Sequence, residues 1–389
     1  MGTYDRFDVA FERGEGAWLF TADGRRFLDF GGGVAVTVLG HCHPHLVTAL
    51  TAQAHRLWHC SNLYRIPEQE RLAQRLVAAS FADAVFFCNS GAEAIECGLK
   101  LTRKYQRVVA GAPERFRLIT CAGAFHGRTL ATIAAGGSPK YLEGFEPKVE
   151  GFDHAPFGDL DAVRAAIGPA TAGILVEPVQ GEGGIHAAAP GFLRGLRELA
   201  DLHGLVLLFD EVQCGIGRTG RLFAHEWAGV TPDVMAIAKG LGGGFPLGAC
   251  LASARVAQAF VPGSHGSTFG GNPLAMAVGN AVLDIVAEPA FLHHVRTVAD
   301  LLQRQLAALA VRFPSVISEV RGVGLMLGLK CAVPNRELVA GLLEGGLLSI
   351  PAGDNVVRLL PPLIIGEQEV VQACRIIEHA CAELASKAA

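Results

Sequence analysis

The chain has 389 residues, half of them hydrophobic, and a formal net charge of −4 at pH 7, with a mean hydropathy of +0.34. That length exceeds what one hydrophobic core usually serves, so two or more packed units are expected. The slight acidity gives no reason to expect nucleic acid or an anionic membrane as a partner.

The N-terminus, MGTYDRFDVAFERGEG, lacks a basic-then-apolar signal pattern, and Arg6 stands where a myristoylation motif wants Ser or Thr. No apolar run approaches a membrane span. The ten cysteines include no CxxC and lie scattered through apolar segments. They read as small buried hydrophobes in a reducing cytosol, and a soluble cytoplasmic protein is expected.

Residues 14–30 (GEGAWLFTADGRRFLDF) read as two short strands around the turn Asp23-Gly24, a cover or interface element. In LGHCHPHL, His41, His43 and His45 alternate. A metal site is conceivable, but no carboxylate or CxxC is near and Pro44 starts a helix, so the metal reading is the weaker one. Residues 45–60 and 67–80 read as amphipathic helices, the second with Pro in its first turn.

From Ala84 the pattern alternates. Strands are expected at 84–87, 116–121, 172–177, 205–209 and 234–238, with a further apolar run at 249–252. Helices are expected at 92–105, near 159–167 and at 190–203. This predicts an α/β fold with a mostly parallel sheet and helices on both faces. Residues 272–287 read as a long connecting helix, 291–313 as a helix, 323–330, 347–351 and 356–359 as strands, and a final helix starts at Glu367. The expected division is an N-terminal segment 1–60 that joins the small domain or an interface, a large domain 61–286 and a smaller α+β domain 287–389.

Three stretches carry chemistry. Asn89-Ser90-Gly91-Ala92-Glu93 lies between a strand and a helix, where Ser90 can cap and Gly91 lets the backbone come close to a ligand. Helix N-terminal amides suit an anion, most naturally a phosphate, although a plain capped helix reads equally well from this stretch alone. The runs 205–209 and 234–238 end on Asp210 and Lys239. Val/Ile/Leu runs of that length suit strands buried on both faces, and ligands bind beyond the carboxyl ends of such strands. Between them, GIGRTG after Cys214 formally matches GxGxxG. Asp210 and Glu211 would repel a pyrophosphate and no helix begins there, so it reads as a connection. Lys239 precedes GLGGG, a loop bare enough to receive a planar ligand, and a lysine amine near apolar surface loses proton affinity.

Singly, Lys239 reads as a solvated lysine and Asp210 as a cap or salt-bridge partner. Together, a phosphate nest, a strand-end acid and a strand-end lysine match the needs of pyridoxal phosphate: a helix N-terminus for its phosphate, an anion for its ring nitrogen, a lysine for its aldehyde.

Ordered blocks along nearly the whole chain, NSGAEA, AFHGRTLAT, EPVQGEGG, LFDEVQCGIGRTG, AKGLGGGFPLGA and HGSTFGGNPLA, resemble the class III, fold-type-I pyridoxal-phosphate aminotransferases, and among them the acetylornithine aminotransferases of arginine biosynthesis. The resemblance implies a fold-type-I transferase working as a homodimer. It makes Lys239 the Schiff-base lysine and proton shuttle and Asp210 the partner of the pyridine nitrogen. Ser90, Gly91 and Ala92 would hold the phosphate, Phe125 would stack on the ring, and Val212 and Gln213, in a stretch that includes Glu211, would pack against it and reach its phenolic oxygen. Thr268 is expected at the neighbouring subunit's phosphate and Ser267 beside the substrate. Arg128 would grip a substrate carboxylate, a planar partner for its guanidinium, and Glu182 would mask Arg358 for one substrate and release it for the other. Ile95 stands where many relatives carry Asn, which leaves the cofactor residues intact and the packing behind them open.

The implied reaction is transamination of N2-acetyl-L-ornithine with 2-oxoglutarate, giving N-acetyl-L-glutamate 5-semialdehyde and L-glutamate. Rival donors are ornithine, succinyldiaminopimelate and 4-aminobutyrate; His126 favours the acetylated donor, since the ornithine enzymes place Trp there. A glutamate-1-semialdehyde aminomutase shares the fold and lysine, and a non-enzymatic scaffold would have no use for Lys239, Asp210, Arg128 and Thr268 together.

Overall fold

In the computed structural model, which describes residues 1–388, the chain opens with β1 (Arg13–Glu15), β2 (Trp18–Phe20) and β3 (Arg26–Asp29), paired antiparallel in that order. A turn at Gly16-Ala17 adds the first of these strands to the two expected around Asp23-Gly24. Helices Pro44–Ala54 and Pro67–Ala78 follow. The first stops well before Cys60, because the Trp58 indole N–H donates to the Ala54 carbonyl (2.7 Å) and takes up an end-of-helix acceptor.

The central sheet comprises β4 (Ala84–Cys88), β5 (Arg117–Cys121), β6 (Phe152–Ala155), β7 (Thr171–Val176), β10 (Val206–Asp210), β11 (Val234–Ile237) and β12 (Gly248–Ala252). A two-stranded hairpin, β8 (Val179–Gln180) and β9 (His186–Ala187), leaves it after β7. The order is β4-β12-β11-β10-β7-β5-β6; only β12 runs antiparallel to its neighbours. The strand β6 and the helix Leu130–Gly136 lie where no element was expected. FDHA is a four-residue edge strand with polar residues at its centre, and a seven-residue helix is too short for its periodicity to register.

Every residue of β10 is buried, and alternate side chains enter different layers. Val206 and Leu208 pack with Ile95 and Leu99 of helix Gly91–Val108. Leu207 and Phe209 pack with Leu196 and Leu199 of helix Pro190–His203. A strand buried on both faces therefore reads as an unbroken apolar run. Each such side chain taken from water contributes about 1.5–3 kcal/mol. Ile95 is fully buried in the first layer, so a branched apolar residue suits the position.

After helices Pro273–Val286 and Pro289–Arg312, a second antiparallel sheet forms from β13 (Ile317–Val323), β14 (Met326–Cys331), β17 (Val356–Leu359) and β16 (Ile350–Ala352). The strand expected at 323–330 corresponds to β14, and β13, joined to it by the turn Gly324-Leu325, lies where no strand was expected. Strand β15 (Leu347–Leu348) pairs in parallel with β3 and ties the chain's two ends together. The final helix is Glu367–Ala388. The histidines of LGHCHPHL go to three partners: His41 to Asp29 (2.8 Å), His45 to Asp284 (2.8 Å), and His43 Nδ1 accepts the His45 amide as a helix cap. Eight of the ten cysteines are buried. Among the described residues no single helix is long and apolar enough to cross a membrane.

Candidate active site

The parallel strands of the central sheet deliver their carboxyl ends to one edge, and a cavity of about 420 Å³ lies there. Its lining includes Ser90 just past β4, Phe125 to Arg128 past β5, Glu177 past β7, Asp210 ending β10 and Lys239 past β11. Phe245 to Leu247, which lead into β12, close another side. Residues remote in sequence converge because each follows its own strand by only a few positions.

The floor is acidic. Asp210 is buried; its Oδ2 accepts from His126 Nδ1 (2.7 Å) and its Oδ1 from the Val212 amide (3.0 Å). Burial opposes a charged imidazole, but the hydrogen bond and charge of Asp210, with Glu177 behind, outweigh it and hold His126 above its ordinary range. Glu177 is pushed up to about 7 by burial and by the charge of Asp210, against the pull of His126. Its oxygens accept the amides of Phe125 (3.0 Å) and Gly181 (3.4 Å), so it clamps the loop that carries Phe125, His126 and Arg128.

Lys239 opposes this acid cluster. Burial, reinforced by the charge of Arg358, lowers its amine to about 8 despite the acids nearby. Its φ is +42°, in the left-handed region that lysine rarely occupies. Such strain costs on the order of 1–3 kcal/mol and collects at functional sites.

The third wall is the start of helix Gly91–Val108. The Ser90 side chain caps the Glu93 amide (3.2 Å), and the Gly91 and Ala92 amides, which have no intrahelical partner, belong to residues lining the cavity. A Cβ on Gly91 would come within 2.6 Å of Val212 Cγ1, so the helix can approach the segment just past β10 this closely only at a glycine.

At the mouth, the Arg128 guanidinium sits over the Tyr141 ring at 4.0 Å and near the Phe125 ring at 5.6 Å. Arg358 is buried; its Nη2 donates to Glu182 Oε2 (2.7 Å) and its Nη1 to Gln213 Oε1 (3.4 Å). The pair expected from sequence is thus formed, with Glu182 partly in solvent and Arg358 out of it.

The aminotransferase class-III family model matches residues 2–381. The chain is a class-III aminotransferase.

Its relatives include acetylornithine aminotransferases from Brucella melitensis, 61% identical over 98% of this chain and 94% of that protein, and from Mesorhizobium japonicum, 62% identical over 98% and 96%. Among solved structures, the N-acetylornithine aminotransferase of Stenotrophomonas maltophilia is 39% identical with a TM-score of 0.87, covering 99% of this chain and 98% of that one. The ornithine aminotransferase of Toxoplasma gondii is 31% identical with a TM-score of 0.96, covering 100% and 93%. A second structure of that ornithine enzyme is described with PLP at the active site. The aminotransferase is a pyridoxal-phosphate enzyme, and its residues fit that group. The cavity joins free helix amides, a buried carboxylate and a buried amine of lowered proton affinity, and His126, on its lining, has an Nε2 buried without a protein partner.

Some expected residues fall elsewhere. Glu211 is a correction: its carboxylate turns away from the cavity and accepts the Ala224 amide (2.6 Å) and the His225 amide (2.8 Å) and ring (2.7 Å). Consecutive residues just past a strand point to opposite sides, so Asp210 facing the cavity sends Glu211 behind it. Thr268 is exposed and Ser267 bonds Asn89 Nδ2 and the Gly270 amide; neither lines this chain's cavity. His126 meets Asp210 on the floor, a different position from one that would sort donors at the mouth. The GIGRTG segment is a connection: buried Arg218 donates to the Leu325 and Pro361 carbonyls and fastens it to the C-terminal part. Two further residues at the site are Glu177, which follows an apolar strand as Asp210 ends one, and Tyr141, which no motif marks.

Proposed function

We propose that this aminotransferase moves the terminal amine of N2-acetyl-L-ornithine to 2-oxoglutarate, in two half-reactions, releasing N-acetyl-L-glutamate 5-semialdehyde and L-glutamate as a step of arginine biosynthesis. One observation carries the reading: two arginines serve the site, Arg128 unmasked and Arg358 paired with Glu182 at 2.7 Å. The donor has one carboxylate and the acceptor two, so one arginine is needed in both half-reactions and the other only in the second. The relatives' names favour the acetylated donor over ornithine.

When bound, pyridoxal phosphate supplies an electrophilic carbon for the donor amine and a ring that takes up the electrons of the broken C–H bond. Asp210, its charge supported by His126, would accept the ring N–H. Ser90, Gly91 and Ala92 would hold the phosphate, Phe125 and Val212 the ring faces, and Gln213 the phenolic oxygen. Lys239, with a proton affinity near neutrality, would carry the cofactor at rest and then take a proton from the donor's terminal carbon and return it two bonds away, across the transferred nitrogen. Arg128 would bind the carboxylate common to both substrates, and Arg358, freed from Glu182, the second one of 2-oxoglutarate.

The reading includes a homodimer in which Thr268 of the partner subunit reaches the phosphate and Ser267 stands beside the substrate. It is supported by Trp58, Leu63, Tyr64 and Phe269, which are exposed around the Ser267-Thr268 segment; Asn62 of the same stretch donates to the Ser267 carbonyl (3.0 Å). A division at 1–60, 61–286 and 287–389 is supported by the two sheets, which lie wholly within the second and third parts. The cytoplasmic setting is supported by buried cysteines left as thiols.

Borohydride reduction of the holoenzyme followed by peptide mapping tests the central assignment. The pyridoxyl label is expected on Lys239; a label on any other lysine overturns the scheme.

A further inference from the structure

Tyr141 follows the short segment Ser138-Pro139-Lys140, outside every recognisable motif, yet it touches both carboxylate-binding devices. Its ring face carries the Arg128 guanidinium at 4.0 Å and meets the Phe125 ring edge-on at 5.7 Å. Its hydroxyl donates to Glu182 Oε1 at 3.3 Å, while Glu182 Oε2 accepts from Arg358 at 2.7 Å. One side chain therefore lies between the two arginines and holds something of each.

Releasing Arg358 has two costs. Arg358 is buried and, among the described residues, its one close charged partner is Glu182, so separation leaves a buried cation until a substrate carboxylate arrives. Glu182 must also keep a donor once it leaves, or its carboxylate is stranded at the rim of a cavity about to be filled. The Tyr141 hydroxyl is already on the other oxygen. At 3.3 Å it is a long contact while Arg358 dominates, and it can shorten when the carboxylate turns away.

We propose that Tyr141 is a positioning residue that couples the two arginines: its ring fixes Arg128 for the carboxylate common to both substrates, and its hydroxyl receives Glu182 when a dicarboxylate displaces it from Arg358. Burial and the charge of Glu182 hold the phenol's pKa above its ordinary value, so the hydroxyl stays a donor through the working range. The inference rests on the reading of Arg128 and Arg358 as carboxylate holders and adds the residue that makes the masking reversible.

The test is calorimetric binding of two unreactive probes to the holoenzyme: glutarate, a dicarboxylate of the length of 2-oxoglutarate, and pentanoate, a monocarboxylate of the same length. Tyr141→Phe keeps the ring and is expected to bind pentanoate as the wild type does and glutarate about tenfold more weakly. Tyr141→Leu loses the ring as well and is expected to weaken both probes, pentanoate by roughly threefold or more. A Tyr141→Phe enzyme with wild-type glutarate affinity, or with both probes weakened equally, overturns the coupling; that arm stands whether or not the leucine variant folds. A wild-type enzyme that binds glutarate no tighter than pentanoate would sink the two-arginine reading itself. A wild-type preference for glutarate that persists undiminished in Tyr141→Phe would remove Tyr141 alone.

Discussion

A lysine amine with an ordinary pKa near 10.5 is almost wholly protonated at neutral pH and a poor nucleophile. Lys239 is brought to about 8 by burial and the charge of Arg358, so a usable fraction is free base where the enzyme works. The sign follows from burial: it disfavours the cation, lowers the pKa and extends the reactive, deprotonated form down to about pH 8. The rate at which the apoprotein captures pyridoxal phosphate should climb with pH and level off just above 8; a rate still climbing steeply past pH 9.5 would show an unperturbed amine. Lys239 and Asp210 are legible in the sequence because each closes a run that only a strand buried on both faces explains. Glu177 offers the same signal after 171–176, and Glu211 the opposite lesson, since adjacency to a site residue past a strand end implies the other side. Tyr141 is not legible, because its place depends on the short helix Pro139–Leu142, which brings it onto Arg128 and Glu182 and is too brief to show a period.

The site also depends on how closely two elements approach. Helix Gly91–Val108 can present its first amides to the cavity only because Gly91 lets it settle against Val212. Valine is stiff about χ1 and cannot swing away without cost. Gly91→Ala is therefore expected to destabilise the protein by about 1–3 kcal/mol through overpacking, seen as a lower thermal midpoint, and to weaken pyridoxal phosphate binding measured by fluorescence titration. Unchanged midpoint and affinity would mean the helix has room to retreat. The central strands and this helix were readable from sequence to within a few residues because burial on both faces leaves an unbroken apolar signal. The edge strand β6 and the helix Leu130–Gly136 were not, since one has two polar residues at its centre and the other is too short to show a period. The strand expected at 323–330 corresponds to β14, whereas β13 carries no such signal because Glu319, Arg321 and Gly322 interrupt its apolar residues.

At the scale of the molecule, the cavity draws on the central sheet for cofactor chemistry and on β17, in the second sheet, for Arg358. In the sequence, the strand–helix alternation ends before residue 287, from where a smaller α+β part is expected. Subunit sharing is a consequence of the proposed dimer. If Thr268 serves the neighbouring site, mixing inactive Lys239→Ala chains with Thr268→Ala chains should restore activity. Each mixed dimer then holds one site with a wild-type lysine and a wild-type threonine. Activity no greater than that of the Thr268→Ala enzyme alone would place Thr268 in its own chain's site and contradict the shared arrangement.

The fold does not separate acetylornithine from ornithine as donor, since solved aminotransferases of both names superpose on it closely. The measurement that decides is kcat/KM of the holoenzyme for N2-acetyl-L-ornithine, L-ornithine, succinyldiaminopimelate and 4-aminobutyrate, with 2-oxoglutarate as acceptor and L-glutamate as the product assayed. N2-acetyl-L-ornithine is expected to give the highest value, with one L-glutamate formed per donor consumed. A higher value for free ornithine, or donor consumption without L-glutamate, would contradict the proposed reaction.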